Sequence, residues 1–237
     1  MDKSRTEVLI GKEGMEKLAN KHITIVGCGG VGGYTTVMLA RAGVERFTLI
    51  DFDDITPSNI NRQIVAYNST IGRKKVEVLK EMLNDINENI SVEIKAERLT
   101  KENISSLLGK TDIVIDAIDS VKDKIELISY CKDHNIYIIS AMGAGNRYDY
   151  PAFKLTDIFS TSDDSLARVV RKGLRERGVR SLDVVISLSK GEKVEGVIGS
   201  ISYYPPALGG YIASVIINKI LKEEIWELLK IKILKMR

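Results

Sequence analysis

One stretch constrains the fold more than any other, His22 to Asp51, reading HITIVGCGGVGGYTTVMLARAGVERFTLID. Its apolar, β-branched opening, Ile23 to Val26, suits a buried parallel strand. Gly27-Cys28-Gly29-Gly30-Val31-Gly32 then makes a turn with almost no side chains. A helical pattern follows through Val37, Leu39, Ala40 and Ala42, and Gly43 stands where a C-cap would end it. A second strand, Phe47 to Ile50, closes on Asp51. In such a βαβ unit the glycine turn lets backbone N–H groups approach a phosphate at a helix N-terminus. The strand-end carboxylate can take ribose hydroxyls. The competing reading is a tight turn that uses glycine only for packing. Nothing in this stretch tells an ATP site from that of a nicotinamide dehydrogenase.

The rest of the chain repeats the alternation. Residues 1–20 read as an arm or short helix around Met15 and Leu18. The polar connection Asp53 to Thr70 is long enough to expect function in it. Gly72 opens an amphipathic helix with Val76, Leu79, Leu83 and Ile86 on one face, and Val92 to Ala96 reads as a strand. Thr100 is placed to cap a short helix ending near Gly109. Ile113 to Ile115 forms the next strand and runs into Asp116-Ala117-Ile118-Asp119. A helix through Ile125, Leu127, Ile128 and Cys131 and a strand Ile136 to Ser140 complete the series. The pattern predicts an α/β fold, a Rossmann-like, mainly parallel sheet with helices on both faces. Ligands on such sheets bind at the carboxyl ends of strands, where Asp51 and Asp119 fall.

The expected division is an arm (1–20), a nucleotide-binding core (21–145) and a smaller C-terminal extension (146–237) for substrate binding and dimer packing. The extension carries an arginine-rich helix from Asp163 to Arg177, a strand Val184 to Leu188 and an apolar helix from Ala207. The net charge of +3 confines any nucleic-acid affinity to local clusters, and Arg168, Arg171, Lys172 and Arg175 form the best one. A solvated or dimer-packing helix is the bland reading of that segment. Tyr148, Tyr150 and Phe153, just upstream, could stack on unpaired bases. With only Cys28 and Cys131, a zinc site or disulfide framework is not expected. No secretory leader is visible and no apolar run reaches the ~18 residues of a membrane span, so a reduced, cytoplasmic setting is expected. The basic stretch Trp226 to Arg237 suits a docked terminal helix at least as well as a membrane contact.

Beyond Asp51 the chain departs from a dehydrogenase. GCGGVGG, LIDFD, SNINRQ (58–63), GRKK (72–75) and DAIDS (116–120) follow one another in order. In that combination the chain resembles the ThiF/MoeB-like family of the ubiquitin-activating-enzyme superfamily, whose members adenylate carboxylates. Arg5 to Gly14, Ala167 to Arg171 and Tyr204 to Gly210 make it most similar to the branch that dehydrates threonylcarbamoyladenosine in tRNA. The resemblance covers almost the whole chain and implies a single ThiF-type adenylation domain over 1–237. It also implies ATP and Mg²⁺ as cofactors, modified tRNA as substrate, a homodimer, and a sulfur-relay protein as candidate partner. The competing enzyme reading is a MoeB/ThiF-type adenylyltransferase acting on the C-terminal Gly-Gly of a small carrier protein. A nucleotide-binding scaffold is the non-enzyme reading.

Adenylation moves negative charge onto phosphate oxygens, so its site needs fixed cations and a metal. Arg62 offers a planar fork and Lys75 a point charge, with Arg73 and Lys74 competing for the lysine's place. Asp119 is the expected Mg²⁺ ligand. By resemblance the nucleotide set is Gly27, Gly29, Gly30, Val31, Gly32, Asp51, Asp53, Asn59, Arg62, Gln63, Lys75 and Asp119, and Arg5 reaches the ATP of a partner subunit. Asp116 could be structural or functional. Related enzymes can carry a cysteine where this chain reads Leu182-Asp183-Val184-Val185, so covalent catalysis at that position is excluded.

Overall fold

The computed structural model describes residues 1–222 except 163 and 193. The expected helix start at Asp163 and the stretch Trp226 to Arg237 lie outside them. The elements run in the expected alternation: α1 (Ser4–Asn20), β1 (His22–Val26), α2 (Gly32–Ala42), β2 (Arg46–Ile50), α3 (Lys75–Ile86), β3 (Ser91–Lys95), α4 (Ile104–Leu108), β4 (Ile113–Asp116), α5 (Val121–Asp133) and β5 (Tyr137–Ala141). Then follow β6 (Phe153–Asp157), α6 (Ser165–Glu176), β7 (Asp183–Ser187) and α7 (Tyr204–Leu221). One seven-stranded sheet results, in the order β3-β2-β1-β4-β5-β7-β6. All neighbours are parallel except β6, which runs antiparallel to β7.

Strand order reverses between β1 and β4: the chain moves from β1 out to β3, returns to β4 and proceeds the other way. Right-handed crossovers then require helices on opposite faces. Leu39 of α2, Leu79 of α3 and Ile212 of α7 share one core with Ile25. Leu107 of α4, Leu127 of α5 and Val170 of α6 share the other with Val114. Each fully buried Leu or Ile contributes about 1.5–3 kcal/mol. The crevice at the carboxyl ends of β1 and β4 is the topological switch point, where open sheets of this kind bind ligands.

Local chemistry moves several expected boundaries. Asn103, not Thr100, is the N-cap residue of α4, and its Oδ1 accepts from the Thr100 backbone N–H at 2.7 Å. Gly72 sits in a turn at φ 83° and α3 begins only at Lys75. The α7 helix starts three residues earlier than expected, because Pro205 and Pro206 occupy its first turn, where no N–H is needed. Asp164 caps α6 by accepting from Ala167 N at 2.8 Å. The segment after residue 145 adds β6 and β7 to the same sheet. Within α1 the backbone breaks at Gly11 (φ 71°, ψ 171°).

Candidate nucleotide site

The glycine turn after β1 is compressed against its surroundings. Gly27 has φ 91°, and a Cβ there would lie 2.6 Å from the Ala117 carbonyl oxygen; a Cβ on Gly32 would lie 1.8 Å from Gly27 O. Only glycine fits either position. The Ala117 N–H donates to Val26 O at 2.8 Å, so the turns after β1 and β4 are joined backbone to backbone. Gly29 faces the Gln63 amide, and Gly30 lies against Arg62 and Pro205. The start of α7 packs in turn onto α2, with Thr35 Oγ1 donating to Gly209 O at 3.1 Å. Val31 precedes α2 in helical geometry.

Asp51 ends β2 beside this turn. Its Oδ2 accepts from Cys28 N at 2.7 Å and its Oδ1 from Asp53 N at 2.9 Å. Burial pushes its carboxyl above the ordinary value, opposed by the Lys75 charge and the two backbone donors. Each oxygen retains acceptor capacity for a diol. The structure separates the three competing cations. Arg73 pairs with Glu81 on the surface, and Lys74 pairs with Asp54 at 2.9 Å while donating to Phe52 O. Lys75 alone is buried, and its Nζ donates to Asp53 Oδ2 at 2.6 Å. Asp53 is half-exposed, so a phosphate can compete with it for the ammonium.

The expected functional connection folds into a 3₁₀ turn, Pro57–Asn59, in which Asn59 Oδ1 accepts from Thr56 N at 3.1 Å. That turn sets Arg62, whose Nη1 donates to Ser58 O and to Asn61 Oδ1, both at 2.8 Å. Arg62 is half-buried with its Cγ beside Gly30, and the remaining N–H donors of its guanidinium are open to a phosphate. Gln63 is buried, and its Oε1 has no hydrogen-bond partner among the described residues. An unpaired buried acceptor costs about 1–3 kcal/mol, so this oxygen suits a bound ligand's donor.

Asp119 is exposed between β4 and Ser120, the N-cap residue of α5. Among the described residues no three His, Cys, Asp or Glu side chains cluster. A single carboxylate fits a Mg²⁺ that keeps its waters and phosphate oxygens, not a protein cage. Asp116 proves structural: it is fully buried, with Oδ1 accepting from Ile118 N at 3.1 Å and Oδ2 from Lys124 Nζ at 2.8 Å. Ser140 Oγ also donates to Asp116, and Lys124 Nζ reaches Ala141 O at 3.1 Å. Lys124 escaped the sequence reading. Its signal was there, because it heads the i, i+3, i+4, i+7 stripe completed by Leu127, Ile128 and Cys131 on the buried face of α5.

Arg5 is exposed in the first turn of α1, and its side chain makes no hydrogen bond or ion pair with another described residue. Both cysteines are buried, and burial pushes the Cys28 thiol well up and that of Cys131 to about 12. Neither is poised as a thiolate. The arginine cluster divides in two. Arg168, Lys172 and Arg175 are exposed, whereas Arg171 turns inward and donates to Thr161 O at 2.9 Å and to Thr161 Oγ1. Phe153 packs on Tyr204 and Tyr211, with centroids 5.5 and 5.9 Å apart, so of the three upstream aromatics only Tyr148 and Tyr150 stand out to solvent.

The chain is 41% identical over 178 residues to tRNA threonylcarbamoyladenosine dehydratase of Bacillus subtilis, covering 75% of this chain and 70% of that protein. It is 42% identical over 165 residues to the Haemophilus influenzae protein of the same name, covering 69% of this chain and 63% of that one. The crystal structure of the Escherichia coli dehydratase in complex with AMP superposes with a TM-score of 0.88 at 31% identity, covering 94% of both chains. A model of the ThiF family matches residues 3–236. The chain belongs to the ThiF family.

Proposed function

We infer that this chain is an ATP-dependent tRNA threonylcarbamoyladenosine dehydratase. The observation that carries the reading is the convergence of Asp51, Arg62, Lys75 and Asp119 on one glycine turn at the sheet's switch point, in a chain whose relatives over most of its length bear that name. The threonyl carboxylate attacks the α-phosphorus of ATP and pyrophosphate leaves, giving an acyl-adenylate. A heteroatom of the carbamoyl group then attacks the activated carbonyl and AMP leaves. One water is lost from the nucleoside overall. Asp51 holds the ribose, the glycine turn and the Gln63 amide N–H donors hold the phosphates, and Arg62 and Lys75 take the charge that develops during displacement. Asp119 would hold a Mg²⁺ ion, which would supply further charge neutralisation. No cysteine is needed, because the attack is intramolecular and well-oriented intramolecular reactions reach effective molarities of about 10⁵–10⁸ M.

The working unit in this reading is a homodimer. Val8 and Leu9 stand 85% and 83% exposed on α1, a surface a second copy would cover while bringing Arg5 to its partner's ATP. A cytoplasmic setting, where tRNA is modified, goes with the reading, as does a sulfur-relay protein as candidate partner. Among the described residues no helix is long and apolar enough to cross a membrane.

The test is mass spectrometry of tRNA nucleosides after incubation with ATP. Loss of one water from the modified adenosine, with matching pyrophosphate release, is expected. Pyrophosphate release triggered only by a protein ending in Gly-Gly would overturn the assignment and restore the carrier-protein reading.

A further inference from the structure

The α6 helix has two unlike sides. Ala167, Val170 and Leu174 are fully buried among the residues that α5 and β7 contribute to their shared core. At 100° per residue, Arg168, Lys172 and Arg175 fall within about 60° of one another on the opposite side. All three are exposed, and none forms an ion pair with a described residue. Their neighbours differ. Arg177 is tied to Glu126, and Arg171 straps the helix to the carbonyls of Thr161 and Ile158. Like charges three and four residues apart destabilise a helix by about 0.2–0.5 kcal/mol per pair. Arg168–Lys172 and Lys172–Arg175 are two such pairs, with Glu176 and the capping Asp164 the acidic groups near that face. A cost of this kind is offset when a polyanion lies along the row.

The relief of this surface suits phosphates. Two open grooves flank α6. One, of about 260 Å³, is lined by Asp164, Ser165, Arg168 and Arg171. The other, of about 390 Å³, is lined by Phe159, Arg175, Gly178, Val179 and Arg180. The Arg175 guanidinium lies over the Phe159 ring, 5.5 Å from its centroid, which fixes its plane and lowers the entropy lost on binding. Gly178, at φ 74°, reverses the chain so that Arg180 returns to the same groove. From Arg168 to Arg175 the row extends about 10 Å along the helix axis. The helix also begins at the right end of the molecule: a Cβ on Gly143, just past β5, would lie 3.4 Å from Asp164 Oδ2. This is the carboxyl end of the sheet, where Asp51 and Asp119 also lie.

We propose that the outward face of α6, Arg168, Lys172 and Arg175 with Arg180 and Phe159 beside them, docks the phosphate backbone of the RNA substrate, and that Arg171 takes no part. The proposal rests on the dehydratase reading and locates where its substrate lies. Phosphate contacts position a nucleic acid without reading its sequence. Docking at α6 therefore fixes register and leaves recognition of the modified base to the site at Asp51 and Arg62.

The experiment is fluorescence anisotropy of full-length protein with fluorescein-labelled tRNA, threonylcarbamoylated or unmodified, over a series of salt concentrations. Arg168→Gln, Arg175→Gln and Arg180→Gln are each expected to weaken binding of both RNAs several-fold. Each should also flatten the slope of log K against log[salt] by about 0.7–0.9 per lost phosphate contact. Arg171→Gln should leave the slope unchanged and lower the melting temperature instead. A wild-type slope in the Arg168→Gln/Arg175→Gln double variant, while wild-type protein still dehydrates modified tRNA, would overturn the proposal and leave the assigned activity standing. Loss of preference for modified over unmodified RNA in the single variants would also overturn it, since it would place these side chains at the base. Wild-type protein that binds ATP but neither RNA, and binds an acidic protein through α6, would remove both.

Discussion

The buried Lys124–Asp116 pair offers the sharpest test of how the site is held. Both side chains have no solvent exposure, and the ammonium donates to Asp116, Ser140 and Ala141 across the ends of β4 and β5. Replacing Lys124 by Met keeps an unbranched side chain, one atom shorter, and removes the charge. Asp116 then remains as an uncompensated buried carboxylate, which costs about 3–5 kcal/mol. In a domain of this size each kcal/mol lowers the melting temperature by about 2–4 °C, so a fall of roughly 6–20 °C is expected. Asp116→Asn in the same chain removes the orphaned charge. The double variant should be more stable than the two single effects added together, by about 1–3 kcal/mol. Urea titration followed by far-UV circular dichroism gives all four corners of the cycle. A Lys124→Met variant less than about 1 kcal/mol destabilised, or a cycle that sums additively, would refute the view that this pair ties the two strand ends together.

The other predictions concern the site itself. Arg62→Ala should lower kcat/KM about 10²–10³-fold or more with the fold intact, because the guanidinium acts on developing phosphate charge; near-wild-type turnover would remove Arg62 from the mechanism. Lys75→Met should show a similar loss, whereas Lys74→Met, a surface change, should stay within about threefold of wild type. Equal effects in the two variants would contradict the assignment of the buried lysine. Asp51 accepts hydroxyls best as an anion, and burial holds its carboxyl above the ordinary carboxylate range. Protonation therefore begins at higher pH than for a free carboxylate, and ATP binding measured by calorimetry should weaken earlier on acidification than an ordinary carboxylate would allow. An acid limb at the usual carboxylate value would refute the burial argument.

Strands β1 to β5, the helices between them and the glycine turn were legible because one period, β-branched run then amphipathic stripe, repeats with glycine punctuation. The β6 strand was not legible. Phe153 to Asp157 reads FKLTD, shows no clean alternation and lies half-exposed at the sheet edge, so pairing with β7 decides its conformation. Arg171 looked equivalent to its neighbours because composition does not record which way a side chain points, and its position 60° off the exposed row turned it inward. The choice among Arg73, Lys74 and Lys75 could be narrowed by spacing, and burial sets Lys75 apart from the other two. Asp116 could not be assigned until its partner Lys124, eight residues later, was in view.

The backbone junction at Ala117 has a mechanical consequence. Gly27 abuts the Ala117 carbonyl, and Ala117 N–H is bonded to Val26. The turn that would seat the phosphates and the turn that presents Asp119 are therefore one rigid body, with a spacing set by main chain alone. A lengthened or shortened turn after β4 would shift the proposed phosphate seat and the Asp119 carboxylate together. The two properties should be lost in step in any insertion series, and no side-chain change elsewhere could tune one against the other.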